Sequence, residues 1–563
     1  MSALPPILEG QRRWQLAALI GFALGQALAA GLIAFATRDV FEALRTSANA
    51  PLAALAGIVA AGFAIAILRY GERVVAERLG QDYTAALRLK IFLHLSRVPA
   101  RALAQRRVGH LSMRFVGDLS SVRNWISLGL ARLVSAAIVL PATLFVIILL
   151  SVDLAVAAGL PVLLGGTAMA VVAFRLRGTH KRLRSRRARL AADMTERVVH
   201  APELRLLGRM ETERRHLSSR TGAMVACAIE RARGVAFLRV VPDVLTGVVA
   251  GCVFFTAFRT GISGALAAGA LAALALAIRQ LGDLAGVWDR NRAFIAARDR
   301  CEALLAAPTL PVPAACAQED LTDAPPELRF EATVAPGLQE IDAAARAGTK
   351  VAIIGGNGAG KSTLLALAAG LEHPTSGRVT LAGRDVAGLQ CNERHRAIGY
   401  LSGRSPILAG SLRRALAMGA AERPADSEIE ACAEAFGLGP VLHRLGGLDG
   451  IIAEAGRSLS SGEVRRLLLA RVALSGSRLI LLDEPDDALD APARTLVENW
   501  LLATDATALI VTHDMELARK LDEVWLMARG EVVASGPPGD LLPAKNHAPA
   551  ALERTRNTIN STL

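Results

Sequence analysis

Residues Gly355, Gly356, Asn357, Gly358, Ala359, Gly360, Lys361, Ser362 and Thr363 form a glycine-rich loop that ends in Lys-Ser-Thr. In such a loop the backbone N–H groups point inward at phosphates, and the N-terminus of a following helix adds positive dipole. Lys361 is expected to contact the β- and γ-phosphates of ATP, with the Ser362 hydroxyl on Mg²⁺. A glycine-rich turn alone is weak evidence. Here an apolar strand-like run, KVAII (350–354), precedes it and a helical pattern, 361–371, follows, which is the context a phosphate-binding loop requires.

Two more strand-like runs end in side chains that suit the same chemistry. RLILLDEP (478–485) ends in two acids: Asp483 fits the Mg²⁺ shell, and Glu484 fits a base that polarises the attacking water. Paired acids at such a place can also merely cap the next helix. ALIVTHD (508–514) ends at His513, which a parallel strand would bring beside the γ-phosphate. From about Leu328 the chain alternates strands and helices, the pattern of an α/β phosphate-loop domain, here spanning 328–543.

The preceding three hundred residues follow other rules. Of the 563 residues, 52% are hydrophobic and only 20% charged, against roughly 25% charged in soluble proteins. Six apolar segments approach the length that crosses a bilayer: 14–36, 51–68, 133–151, 154–174, 241–258 and 262–284. They are expected to pair as three hairpins in an all-α transmembrane domain, 1–305. The net charge is +13, and nearly all of the 64 basic residues are Arg. Those residues cluster in the long stretches after spans two and four; eight Lys or Arg lie between Arg175 and Arg189. Such asymmetry puts both stretches and the N-terminus in the cytoplasm. Aromatic residues do not interleave with the basic ones, which argues against nucleic acid as a partner. Arg12 and Arg13 followed by an apolar run without a cleavage signal read as a retained anchor. The Pro- and Ala-rich stretch 306–327 reads as a linker, and 544–563 as a flexible tail. Six scattered cysteines (Cys227, Cys252, Cys301, Cys316, Cys391 and Cys432) form no CxxC or Cys/His spacing, so reduced thiols are expected.

Between the acid pair's strand and the phosphate loop's helix lies LSSGEVRRLLLARVAL (459–474). With this segment the chain resembles the ATP-binding cassette (ABC) transporters, specifically exporter-type half-transporters, and the resemblance covers essentially the whole chain. Leu459, Ser460, Ser461, Gly462 and Glu463 stand where the family has L-S-G-G-Q; Asp490 in DALD (487–490) matches the D-loop and His513 the switch histidine. GHLSMRFVGDLSSVR (109–123) and ERVVHAPELRLLGRMETERR (196–215) are similar to the two coupling segments. The resemblance implies a six-helix membrane domain followed by an α/β ATPase with a helical subdomain, in a bacterial plasma membrane. It also implies that two such chains, identical or different, dock head to tail, each ATP lying between one phosphate loop and the other chain's signature.

Three positions depart from the family. Gly403 occupies the Q-loop glutamine's place. Ala332, not the nearby Phe330, holds the place of the adenine-stacking aromatic. Ser461 and Glu463 replace Gly and Gln in the signature. These departures fit drift in an active exporter or one weaker, regulatory half of a heterodimer, and they leave a thiol-exporting type open. Gln26, Arg279, Gln280 and Asp283 are polar groups at membrane depth. Arg279 and Asp283, one helical turn apart, either neutralise each other or line a cavity for an anionic or zwitterionic solute.

Overall fold

The computed structural model describes residues 4–46, 49–104, 114–175, 177–284, 286–310, 324–403 and 405–542. Most of the expected linker, all of the expected tail, and residues 109–113 of the first coupling segment lie outside these residues. The chain divides into two compact units, Met1–Ser96 with Arg107–Ala307, and Arg97–Arg106 with Pro308–Leu563.

The first unit is helical. Its elements are α1 (Arg12–Arg45) and α2 (Leu52–Leu95), then, past a short α3 (Ala100–Ala104) that belongs to the second unit, α4 (Leu119–Leu150), α5 (Val152–Arg175), α6 (Arg177–Val199), α7 (Ala201–Leu206), α8 (Met210–Thr260), α9 (Gly264–Leu284) and α10 (Val287–Leu305). Among the described residues, six helices are long and apolar enough to cross a membrane: α1, α2, α4, α5, α8 and the run Gly264–Leu305. Two of them far exceed a bilayer's thickness. At 1.5 Å per residue, the 44 residues of α2 and the 51 of α8 reach roughly 65 and 75 Å. The apolar stretches therefore pass without a break into polar, Arg-rich extensions. Large apolar side chains such as Leu28, Phe63 and Phe258 face outward, as they should where the surrounding medium is lipid.

Between helices the unit packs small residues. Ala34 of α1 and Ala267, Ala270 and Ala273 of α9 are buried together with Ile147, Leu154, Val249 and Val253. Lipid tails are as apolar as Leu, so close backbone approach replaces hydrophobic burial as the source of attraction. Gly269 marks a close backbone approach: a Cβ there would stand 2.7 Å from the Ala34 carbonyl oxygen. At the other end of α9, Asp283 pairs with Arg132 at 3.7 Å. Arg279 forms no ion pair among the described residues, so of the two alternatives for Arg279 and Asp283 the mutual pairing is not formed: α9 turns Asp283 toward α4, and both residues line a cavity.

The second unit holds two sheets. In one, β1 (Leu328–Ala335), β2 (Leu338–Ala345), β4 (Ser376–Leu381) and β5 (Arg384–Asp385) run antiparallel in the order β2-β1-β4-β5. The other contains β3 (Lys350–Gly355), β6 (Ile398–Leu401), β9 (Leu479–Asp483), β10 (Thr507–Val511), β11 (Glu523–Ala528) and β12 (Glu531–Gly536), in the order β12-β11-β3-β10-β9-β6. All its neighbours are parallel except β12. The runs VAII, LILL and ALIV are apolar throughout because a parallel sheet is covered on both faces. A two-stranded ribbon, β7 (Gly410–Ser411) with β8 (Ile451–Ile452), borders a helical subdomain. Its core contains Leu412, Leu416, Ile429, Phe436 and Leu467.

The segment around α3 joins this second unit. The Ala100 N–H donates to the Leu371 carbonyl at 3.0 Å and the Arg101 N–H to Glu372 at 2.5 Å, while the Arg101 guanidinium reaches the Pro336 carbonyl. This piece of chain, which packs with the second unit, lies just before the 109–123 stretch. Within that stretch Asp118 accepts from Arg300 of α10 at 2.5 and 2.9 Å.

Gly269→Ala should cost about 1–3 kcal/mol of stability, because a backbone oxygen cannot move aside for the methyl group. Thermal melts of the purified chain in detergent should show a lower Tm. Gly264→Ala, whose Cβ would meet nothing within 4 Å, should leave Tm unchanged.

Candidate functional site

Strand register assembles the site. Ile353 of β3 and Asp483 of β9 both stand opposite Val511 of β10, so all three strands end at one level. The loop 355–360 leaves β3 there and passes into α11 (Lys361–Ala368). Gly358 and Gly360 take left-handed conformations with φ of 82° and 96°. Gly360 is also sterically required: a Cβ would lie 2.3 Å from Leu338 and 2.9 Å from the Gly337 carbonyl. Lys361 is buried, and its Nζ donates to the Gly355 and Gly356 carbonyls at 2.8 and 3.1 Å. That geometry lays the ammonium along the loop's inner edge. Burial lowers its pKa, an effect opposed by the nearby Glu484 and Asp483 carboxylates.

Asp483 closes the other side. Burial raises its pKa, and a hydrogen bond from the Ser362 hydroxyl works against that rise. A hydroxyl and a carboxylate in direct contact, with phosphate oxygens and water completing the shell, are the ligand set Mg²⁺ favours in such loops. Ser362 and Asp483 therefore fit the ion.

Glu484 and His513 meet just beyond the strand ends. His513 Nε2 lies 3.3 Å from Glu484 Oε1, and both side chains are about half exposed. Glu484 adopts φ 54°, an unusual conformation for a non-glycine residue, while its N–H donates to the Val511 carbonyl at 2.8 Å. The backbone is thus held in a strained turn that presents the carboxylate. Beneath them, buried Thr512 donates to Asp486 at 3.2 Å and accepts from the Asp514 N–H at 2.9 Å. Sequence reasoning overlooked Thr512 and Asp486; the Thr immediately before His513 was the available signal.

The signature begins α12 (Ser461–Leu474). Ser460 is its N-cap: its Oγ accepts from the Glu463 N–H at 3.2 Å, and Glu463 accepts from the Ser460 N–H at 2.8 Å. This is a capping box, so the Glu at position 463 has a structural use. Arg444 adds a two-pronged ion pair to the same carboxylate, each bond 2.9 Å long, and holds it down to about 2. Ser460 and Ser461 remain exposed at a helix N-terminus, where N–H groups and dipole favour an anion. Asp490 caps the helix Ala491–Ala503 by accepting from the Ala493 N–H at 3.0 Å, so its carboxylate also serves the fold locally. Buried Arg465 of α12 reaches Asp487 at 3.5 Å and ties the signature helix to that turn.

Gly403 is exposed just past the end of β6, the strand beside β9, and a Cβ there would meet nothing within 4 Å. Phe330 is fully buried against Trp525, with ring centroids 6.2 Å apart, and so cannot stack on a base. Ala332, two residues on in the same strand, is exposed and adopts φ 43°.

Residues 16–283 match the family model described as the ABC transporter transmembrane region, and 338–487 match the one described as ABC transporter. The chain belongs to the ABC transporter family, and its six apolar helices make it an integral, multi-pass membrane protein. It is similar to a multidrug efflux ATP-binding/permease protein of Mycobacterium bovis, 27% identical over 88% of this chain and 43% of that protein. It is also similar to the mycobactin import ATP-binding/permease protein IrtB of Mycolicibacterium thermoresistibile, 34% identical over 47% of this chain and 46% of that one. The chain spans less than half the length of these two relatives. A bacterial Atm1-family ABC exporter with ATP bound shares the fold, with TM-score 0.79, 21% identity and coverage of 97% and 98% of the two chains.

Glu463→Ala removes the side-chain half of the cap and the Arg444 pair while keeping the 463 N–H bond to Ser460, and should destabilise the protein by about 1 kcal/mol at neutral pH. Because the folded-state pKa of Glu463 is depressed from 4.5 to about 2, its contribution is complete above about pH 4.5 and fades as pH falls toward about 2. Denaturant melts should therefore show the gap between variant and wild type narrowing below about pH 4.5. Gly403→Gln should melt with the wild type, since its site is open.

Proposed function

We propose that this chain is one half of a dimeric ABC transporter that hydrolyses ATP to move a solute outward across a bacterial plasma membrane, with its N-terminus and ATPase domain in the cytoplasm. The observation that carries the reading is the meeting of Glu484 and His513 at the strand ends, beside Asp483 and the Lys361 and Ser362 that begin α11.

In this reading the 355–363 loop and Lys361 hold the phosphates. Glu484 accepts the proton of the attacking water, and His513 keeps that carboxylate and the γ-phosphate aligned. Mg²⁺ held by Ser362 and Asp483 would offset charge building on the β- and γ-oxygens. Ser460, Ser461 and Gly462 serve the second chain's nucleotide through the exposed start of α12. ATP can drive the membrane helices between inward- and outward-facing states only because it binds the closed pair better than the open one. The exposed Leu206 and Leu207 at the tip between α6 and α8 support a partner surface there. Direction is part of the proposal, since one relative is named for efflux and another for import.

A second reading rests on Gly403 and Glu463: the chain is the weaker, regulatory half of a heterodimer. Intact Glu484 and His513 favour hydrolysis at this chain's own loop even then. A scaffold that binds ATP without turnover, or a soluble ATPase acting on nucleic acid, fits less well with this site and six apolar helices.

Glu484→Gln should retain nucleotide binding while slowing turnover about a hundredfold or more, the usual weight of a general base. Phosphate release from the reconstituted chain measures it. Normal turnover by the variant would contradict the role given to Glu484.

A further inference from the structure

We infer that the membrane unit carries a binding site for an anionic solute bearing hydroxyl or amine groups, in a cavity between α1, α2, α4 and α9. This names a substrate class for the transporter and rests on the transport reading above.

The cavity has a volume of about 210 Å³, room for roughly seven waters or a head group of similar size. It lies where the apolar stretches of α2, α4 and α9 give way to charged residues. Four arginines line it, Arg69, Arg73, Arg132 and Arg279, against two carboxylates, Glu72 and Asp283, an excess of two positive charges. Both carboxylates are already engaged: Glu72 accepts from Gln26 at 2.5 Å, and Asp283 pairs with Arg132. Arg69 and Arg279 form no ion pair among the described residues. A cation entering here would meet repulsion, and an anion would meet two available guanidinium groups.

The uncharged lining selects further. Gln26 is fully buried, and with its amide N–H given to Glu72 its Oε1 has no partner. Among the described residues the hydroxyls of Ser127 and Ser135, 2% and 3% exposed, also lack partners, as does Nη2 of Arg69. Buried polar atoms are nearly always satisfied, so four such groups around one cavity indicate partners that arrive with a ligand. Gln26 Oε1 requires a donor, which a bare inorganic anion lacks and a hydroxylated or aminated one supplies. Ala76, Leu128 and Ala131 also line the cavity, but a wholly apolar occupant would leave the same four groups unpaired.

The test uses the full chain in phosphatidylcholine nanodiscs. Labelled glycerol 3-phosphate probes a soluble source, and phosphatidylglycerol added to the disc probes a lipid head group. Glycerol 3-phosphate should bind saturably, or phosphatidylglycerol should raise Tm; whichever acts identifies the source. Arg69→Gln combined with Arg279→Gln should weaken that effect about tenfold or more, the scale of lost charged hydrogen bonds. Ser135→Ala guards against misfolding in the arginine variant: it should weaken the same probe severalfold while leaving the Tm of the unliganded protein no lower, because that hydroxyl makes no bond there. Wild-type protein indifferent to both probes, or Arg and Ser variants that respond like wild type, would overturn the site. ATP turnover without any probe is scored separately; its absence would count against the transport reading, whatever the cavity binds.

Discussion

The alignment of three parallel strands is the constraint on which the ATPase unit depends. Val511 of β10 stands between Ile353 and Asp483, so a loop, an acid pair and a histidine spread from Gly355 to His513 emerge at one edge. Parallel pairing allows little adjustment: a one-residue slip would turn every side chain of the strand to the opposite face. It would also separate Glu484 from His513. The apolar strands are buried to secure that alignment, and the strained φ of Glu484 persists because the Val511 carbonyl anchors its N–H.

In the membrane unit the corresponding constraint is close approach. Helix interfaces built from Ala and Gly bring backbones together and leave little room for polar groups. Where polar groups occur nonetheless, around Gln26, Arg69, Ser127 and Ser135, they enclose a cavity and several lack partners. Burying them has a cost in an empty protein, and a ligand is the simplest source of the missing bonds.

Much of this was legible in the sequence because it is local. The glycine loop, the acids after LILL and the histidine after ALIV sit at strand ends that apolar runs announce, and six apolar stretches announce the membrane helices. What escaped is long-range pairing. Glu463 looked like a departure in the signature, yet Arg444, 19 residues away, and the cap with Ser460 make it part of the helix start. Asp283 looked like the neighbour of Arg279, but its partner, Arg132, lies 151 residues earlier in the chain. Likewise no periodicity could reveal that α3 belongs with the ATPase unit, since its partners Pro336, Leu371 and Glu372 are over 230 residues distant.

The central claim is that each hydrolytic site is shared between two chains. The direct measurement co-reconstitutes two variants: Lys361→Ala, with a disabled phosphate loop, and Gly462→Asp, with a disabled signature. Each alone should be inactive. Mixed pairs should contain one intact site, formed by the loop of the Gly462→Asp chain and the signature of the Lys361→Ala chain, and ATP turnover should partly return relative to a wild-type control. If wild type is active while the mixture stays as inactive as either variant, the shared-site account is contradicted.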